Sequence, residues 1–284
     1  MCYVVATPIG NLRDMTLRAL DVLASVAIIY AEDTRHSKTL LAQYNIRTPL
    51  RSLHEHNEQT QTQGLIHELQ HGSSIAIISD AGTPLISDPG YKAISQMVQV
   101  GIKIVPIPGA CAAVAALSAA GLATDCFLFK GFLPVKSSAR QGVLSALSRE
   151  PSTLIFYEAK HRLLDMLNDL SEVLGVTRQL VLGRELTKKF ETFYRGSLGE
   201  VIEQVQSSVD AQKGEFVVLV EGYQEKSEDI LSALNSISVE AFIKLMRTHV
   251  PDKHIAQALA KLTTQSKRDW YAYLIEDKHY LPDD

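Results

Sequence analysis

Cysteine is scarce in this chain: Cys2, Cys111 and Cys126 are the only three among 284 residues, and no two form a Cys-x-x-Cys pair. That excludes a disulfide framework and a cysteine-rich structural zinc site, and makes a reducing cytoplasm the expected compartment. No internal repeat, low-complexity tract or basic-then-apolar leader is read. The most membrane-like stretch, Ala110 to Ala123, is built largely of Ala, Gly and Ser. It is shorter than the roughly 20 residues a span requires, so it reads as a packed helix and no membrane is expected. An excess of positive charge is missing too: 28 Lys and Arg face 32 Asp and Glu, a net charge of −4. A polybasic nucleic-acid binder is therefore excluded, and any nucleic-acid site has to be a local patch. What is present is an ordinary globular balance of 46% hydrophobic and 21% charged residues, in a length that suits about two domains.

Up to residue 121, short β-branched runs (Cys2–Ala6, Val26–Ala31, Ser74–Ser79, Ile102–Ile107) alternate with helical periods, the last being Ala112–Ala120. Strand–helix alternation predicts a parallel sheet covered by helices. Residues 121–126 read as a linker. A second block, to residue 224, holds strands at Phe127–Phe132, Ser152–Tyr157, Gln179–Gly183, Phe190–Tyr194 and Phe216–Val220, with helices at Ser138–Arg149, Leu163–Leu174 and Leu198–Val205. Its short links predict a mixed α+β sheet. After a charged tether at Gln224–Asp229, the remainder to 284 reads as helical and locally basic. Its short helices, starting near Asp252 and Lys267, suit a helix-turn-helix or a helical cap on the second domain.

In a parallel α/β sheet, ligands bind outside the carboxyl ends of the strands. That rule selects Thr7–Leu12, Glu32–His36, His54–Glu58, Ser79–Gly90 and Pro108–Ala110, five polar Gly/Pro-rich loops converging on one edge. The first strand is followed by no GxGxxG, no GxxxxGK[ST] and no loop of alternating glycines, and no GxSxG elbow occurs. Phosphate cradling and serine nucleophilic catalysis are thus not signalled. Asp80-Ala81-Gly82-Thr83-Pro84 instead offers a carboxylate, small residues and a rigid turn, which lets a ligand approach the backbone closely. His54-x-His56 with Glu55 and Glu58 lacks a clear further metal ligand, so no metal is expected there. His161 suits a cap or surface position, and His249, His254 and His279 suit solvated ones. Cys111 begins a helix of small residues with no assignable His–Asp partner, so it reads as small enough for a ligand to pack close. In the second block, Arg184, Lys188, Lys189 and Arg195 surround Glu185, either an exposed charged turn or a phosphodiester patch.

Six strings occur in one order: Ala6–Leu12, Ala31-Glu32-Asp33-Thr34-Arg35, Ser79–Gly90, Pro106-x-Pro108-Gly109, Gly131-Phe132-Leu133-Pro134 and Arg184–Lys188. Together they resemble the RNA-methylating branch of the tetrapyrrole methylase family, from about residue 3 to 222. The resemblance implies a two-lobed α/β fold: a parallel Rossmann-like first lobe, a mixed α+β second lobe and a helical C-terminal extension. It implies S-adenosyl-L-methionine in the cleft between the lobes. It also implies a homodimer that methylates the ribose 2′-hydroxyl of a cytidine in small-subunit (16S) rRNA, in the assembled 30S particle. By motif, the cofactor pocket comprises Pro8, Asp80, Thr83, Cys111 and Ala112, with Tyr157 and Gly183 from the second lobe. For the chemistry, Glu185 or Asp33 is expected to accept the hydroxyl proton, and Arg35 and Lys188 to hold flanking phosphates and the developing oxyanion.

Overall fold

The computed structural model describes residues 1–54, 57–224, 239–262 and 265–277. Residues Met1–Tyr223 form one compact unit containing two five-stranded sheets. The first sheet comprises β1 (Cys2–Val5), β2 (Ile28–Ala31), β3 (Leu50–Ser52), β4 (Ile75–Ile78) and β5 (Ile104–Ile107), in the order β3-β2-β4-β1-β5. Every pairing is parallel. β4 is buried along its whole length, as a central parallel strand covered on both faces must be. Alternation divides its side chains. Ala76 and Ile78 join Val5, Leu23 and Leu41, whereas Ile75 and Ile77 join Leu65 and Met97. The helices on these faces are α1 (Leu17–Ser25), α2 (Thr34–Gln43), α3 (Glu58–Gln70) and α4 (Tyr91–Gln99).

α5 (Ala112–Ala120) follows β5 but packs on the second sheet, where Ala113, Ala116 and Ala120 lie against Ile155, Val181 and Leu219. The second sheet comprises β6 (Phe127–Phe132), β7 (Thr153–Ala159), β8 (Gln179–Arg184), β9 (Thr192–Ser197) and β10 (Glu215–Val220), in the order β6-β7-β10-β8-β9. Only β6 and β7 run parallel, so the sheet is mixed. Its other face is covered by α6 (Ser137–Ala146), α7 (Leu163–Leu174) and α8 (Leu198–Gln206), through Leu144, Met166, Leu170 and Val201. The small residues of α5 thus let one helix close the sheet face that looks toward the cavity described below.

β9 begins at Thr192 rather than Phe190 because its register pairs Thr192 with Arg184. The residues before it belong to a turn in which the Glu191 N–H donates to Lys188 O and Phe190 is exposed. β2 likewise starts at Ile28, since Val26 caps α1 and donates its N–H to Val22 O.

The second unit, Gln224–Asp284, contains α9 (Val239–Arg247), α10 (Asp252–Leu262) and α11 (Lys267–Asp277). Their apolar stripes meet around Ile243, Ile255, Leu259 and the single tryptophan, Trp270. The expected helix starts at Asp252 and Lys267 are present, whereas the tether lies outside the described residues from 225 onward.

Candidate functional site

A cavity of about 440 Å³ opens at the carboxyl ends of the first sheet, with its far wall in the second. The first-sheet loops contribute Ile9, Glu32, Asp80–Thr83 and Ile86–Asp88, and the start of α5 contributes Cys111 and Ala112. Opposite lie Phe132 from β6, Tyr157–Ala159 from β7, Leu186, and Glu215–Val217 from β10.

Backbone pairing fixes the near wall. Thr7 and Gly82 exchange two hydrogen bonds, of 2.9 and 3.1 Å, and the Thr7 hydroxyl donates to Ser79 O at 3.2 Å. The Thr83 hydroxyl donates to Ala110 O at 3.1 Å, tying the loop after β4 to the loop after β5. Gly109 must be glycine: a Cβ there would stand 2.8 Å from the Ala6 Cβ. On the far wall, the Tyr157 hydroxyl oxygen accepts the Ala113 N–H at 3.1 Å and so anchors the first turn of α5 to β7. Its ring meets Phe129 and Phe132 edge-on, at 4.9 and 5.7 Å. Burial, then the Cys111 thiol beside it, pushes the Tyr157 phenol up to about 12, so it stays protonated.

Left-handed backbone at Leu85, Ser87, Glu185 and Thr187 brackets the cavity in two loops. Such conformations cost about 1–3 kcal/mol each and persist only where the surroundings over-determine them.

The cavity carries negative charge on the first-sheet side. Burial, reinforced by Asp80, Asp88 and Asp33, raises the Glu32 carboxyl above its ordinary value. Burial also raises Asp88, against a hydrogen bond from Ser79 and with the help of Asp80. Across the cavity Glu158 is buried; its Oε1 accepts the Ala159 N–H at 2.8 Å and its Oε2 lies 3.4 Å from Arg162 Nη2.

Five of the residues expected from sequence line this cavity together: Asp80, Thr83, Cys111, Ala112 and Tyr157. Pro8 does not, because Ile9 takes that place on the wall. Gly183 does not either. It lies beneath Leu186, whose Cδ2 would be 3.2 Å from any Cβ added there, so its smallness lets Leu186 reach the wall.

The four residues expected to do chemistry, Glu185, Asp33, Arg35 and Lys188, are not among the residues that line the cavity. Asp33 caps α2, accepting the Arg35 N–H at 2.8 Å, while the Arg35 guanidinium holds both its oxygens. That guanidinium and backbone lower the Asp33 carboxyl to about 2, so it is a poor proton acceptor. Arg35 is correspondingly occupied at Nε and Nη2. Glu185 Oε1 accepts both Lys188 Nζ and the Glu215 N–H at 2.9 Å. Burial alone would raise Glu185, but these bonds outweigh it and hold the carboxyl below its ordinary value. Lys188 also pairs with Glu215 at 2.8 Å, so its charge is spent within the loop. Of the rest of the expected basic group, Arg184 and Arg195 are engaged as well, whereas Lys189 is exposed beside the Phe190 ring. Arg184 donates to Lys213 O and Phe190 O, and Arg195 donates to Ala119 O beside the Phe193 ring.

Sequence reasoning missed Glu32, Asp88, Glu158 and Phe132 as wall residues. Three of them stand inside the quoted strings: Glu32 follows β2, Phe132 ends β6 and Asp88 lies in the loop between β4 and α4. Of the histidine cluster, Glu55 and His56 lie outside the described residues, as does His279. His161 sits in the 3-10 turn Lys160–Arg162.

The family model for Tetrapyrrole (Corrin/Porphyrin) Methylases matches residues 1–202. The chain belongs to the tetrapyrrole methylase family. Within that family it is similar, nearly end to end, to curated proteins named ribosomal RNA small subunit methyltransferase I. Identity with the protein from Escherichia coli O157:H7 is 47%, covering 97% of this chain and 95% of that one. With the protein from Pseudomonas aeruginosa it is 48%, covering 96% of each. Among solved structures, diphthine synthase superposes with a TM-score of 0.61 at 12% identity, covering 82% of this chain and 94% of that one. Cobalt precorrin-4 methyltransferase gives 0.57 at 14%, covering 78% and 94%. At these identities the structural likeness concerns the fold. As a tetrapyrrole methylase the chain is a methyltransferase that uses S-adenosyl-L-methionine as donor.

The wall suits such a donor. The cavity volume falls in the range of about 300–1,000 Å³ common for ligand pockets. Its carboxylates complement a cationic sulfonium and ammonium, and Tyr157 and Phe132 present aromatic surface. At Gly82 an added Cβ would stand 3.2 Å from Ile9 Cγ2, so the loop stays low on the wall.

Proposed function

We propose that this protein transfers a methyl group from S-adenosyl-L-methionine to the ribose 2′-hydroxyl of a cytidine in small-subunit (16S) rRNA, within the assembled 30S particle. It does so in the cytoplasm and as a homodimer, with residues 1–121 and 122–224 as the two lobes of the methylase and 225–284 as a helical extension. The observation that carries the reading is the likeness, at 47% identity over 277 residues, to a protein named for methylating small-subunit rRNA. The fold alone supports a ring-methylating enzyme equally well, since its structural neighbours include a cobalt precorrin methyltransferase.

When bound, the donor supplies an electrophilic methyl carbon on a positively charged sulfur. The work of the chain is to align the ribose oxygen with that carbon and to take the proton. Alignment in a well-oriented site is worth up to about 7–11 kcal/mol. Asp80, Thr83, Cys111, Ala112 and Tyr157 hold the donor. Glu32 takes the role expected of Asp33: it stands on the wall, and its raised basicity suits a proton acceptor. With the donor bound, the ribose oxygen would take the methyl group and the Glu32 carboxylate would take the hydroxyl proton. The test is transfer of labelled methyl from the donor to isolated 30S particles, followed by mass mapping of ribose methylation. A single methylated cytidine sugar in 16S rRNA is the expected result. Label appearing only on an added tetrapyrrole, with the subunit unmodified, would support the ring-methylating reading instead.

A further inference from the structure

A second concavity, of about 740 Å³, lies between α2 and the edge strand β3, and it carries charge of the opposite sign. Its rim holds three cations, Arg35, Lys38 and Arg47, with Asn45 between them, over an apolar floor that includes Leu41 and Leu50. No carboxylate lines it. The sequence gives the reason: residues 34–54 contain four Lys and Arg and no Asp or Glu, in a chain whose net charge is −4. The fourth cation, Arg51, leaves the groove by strand alternation and pairs on the opposite face with Glu68 at 2.6 Å.

Two further observations separate this groove from the basic turn at 184–195. Lys38 and Arg47 are exposed, and no described residue hydrogen-bonds or pairs with their side chains. Arg35 is 91% exposed and spends Nε and Nη2 on Asp33, which leaves Nη1 directed at no described group. The groove also adjoins the donor cavity along the chain: Glu32 lines one and Thr34 lines the other. Two residues span at most about 7 Å.

We propose that this groove is the docking track for the phosphodiester backbone of the substrate RNA, beside the nucleotide whose sugar enters the donor cavity. The inference rests on the reading of the chain as an rRNA methyltransferase and adds where the strand lies. Two unpaired cations, Lys38 and Arg47, in a groove that no carboxylate lines match a polymer with one negative charge per residue, and contacts of this kind position a nucleic acid without reading its sequence. Thr34 and Arg35 put one end of the track beside the cavity, and Arg47, just before β3, marks its other end at the amino side of the sheet.

The test compares wild type with the double variant Lys38→Ala/Arg47→Ala, the charge-keeping Arg47→Lys, and Lys103→Ala. Lys103 is an exposed cation just before β5, on the edge of the sheet opposite β3 and outside the groove. Two quantities are read: affinity for isolated 30S particles in the presence of S-adenosylhomocysteine, across a salt series, and steady-state methylation. The double variant is expected to weaken particle affinity by roughly tenfold or more and to raise KM for the particle. It should flatten the slope of log affinity against log salt by about one per lost phosphate contact, while leaving donor binding and kcat at saturating particle unchanged. Arg47→Lys should restore most of the salt dependence, and Lys103→Ala should resemble wild type. The proposal is overturned if the double variant binds particles as wild type does, or if Lys103→Ala weakens binding equally, which is the result for diffuse charge. Because the binding arm does not depend on turnover, a wild type that binds particles without methylating them would sink the functional reading and still decide the groove.

Discussion

Glu32 and Asp33 follow one another at the tip of β2 and meet different surroundings. Glu32 faces the half-buried carboxylates of Asp80 and Asp88 on the cavity wall, whereas Asp33 caps α2 and holds Arg35. Glu32→Gln is therefore expected to lower kcat by about 10²–10⁴, and Asp33→Asn to leave it within a few-fold of wild type. Equal losses in the two variants would contradict the assignment. The same burial has a thermodynamic side. A carboxyl raised in the folded state favours folding while protonated, and that contribution fades as pH rises through its folded value. Glu32→Gln should consequently melt above wild type at pH 7 in the absence of donor, with the difference vanishing near pH 4. Cys111, Asp80 and Tyr157 were expected as pocket residues from the family motifs, and all three line the cavity, each near a strand end or a helix start. Glu32 and Glu158 were not. Their character depends on burial and, for Glu32, on neighbours far along the chain, Asp80 and Asp88.

At the level of elements, two contacts decide whether the cavity keeps its walls. Gly109 lets the loop after β5 lie against Ala6 at the end of β1, and Gly109→Ala would force those loops apart. A donor affinity at least tenfold weaker is expected, by calorimetry, with the melting transition lowered only modestly; unchanged affinity would show that the loop spacing is not limiting. In the second sheet, α6 and α7 are joined by a buried ion pair, Arg140 Nε to Asp169 Oδ2 at 2.5 Å, which Ser137 and Gln141 also support. Burial raises the Asp169 carboxyl, but these donors outweigh it and the net shift is downward. Its stabilisation is thus full above about pH 4 and is lost as pH falls through the lower folded value. Asp169→Asn leaves a buried guanidinium uncompensated and is expected to cost about 3–5 kcal/mol in urea unfolding at pH 7. The helices α5 and α7 were readable to their terminal residues, since apolar patterning and a following Gly121 or Gly175 mark their ends. The start of β9 was not, because cross-strand register with β8 sets it, and local composition does not.

Over the whole molecule, the succession of a parallel and a mixed sheet followed from strand–helix spacing alone. That α5 leaves the first sheet to cover the second did not, since a helix of alanines carries no mark of which face it will meet. The charge distribution was half legible. The acidic total was plain, and the carboxylate-free run at 34–54 was in view, yet attention falls on the denser basic turn at 184–195, whose Arg184, Lys188 and Arg195 the fold consumes internally. Methyl transfer at this site requires the donor to occupy the 440 Å³ cavity between the two sheets. The most direct measurement is a crystal structure of the protein with S-adenosylhomocysteine. The account predicts the ligand among Asp80, Thr83, Cys111, Ala112 and Tyr157, with its sulfur on the side facing Glu32; a ligand bound anywhere else on the chain would contradict it.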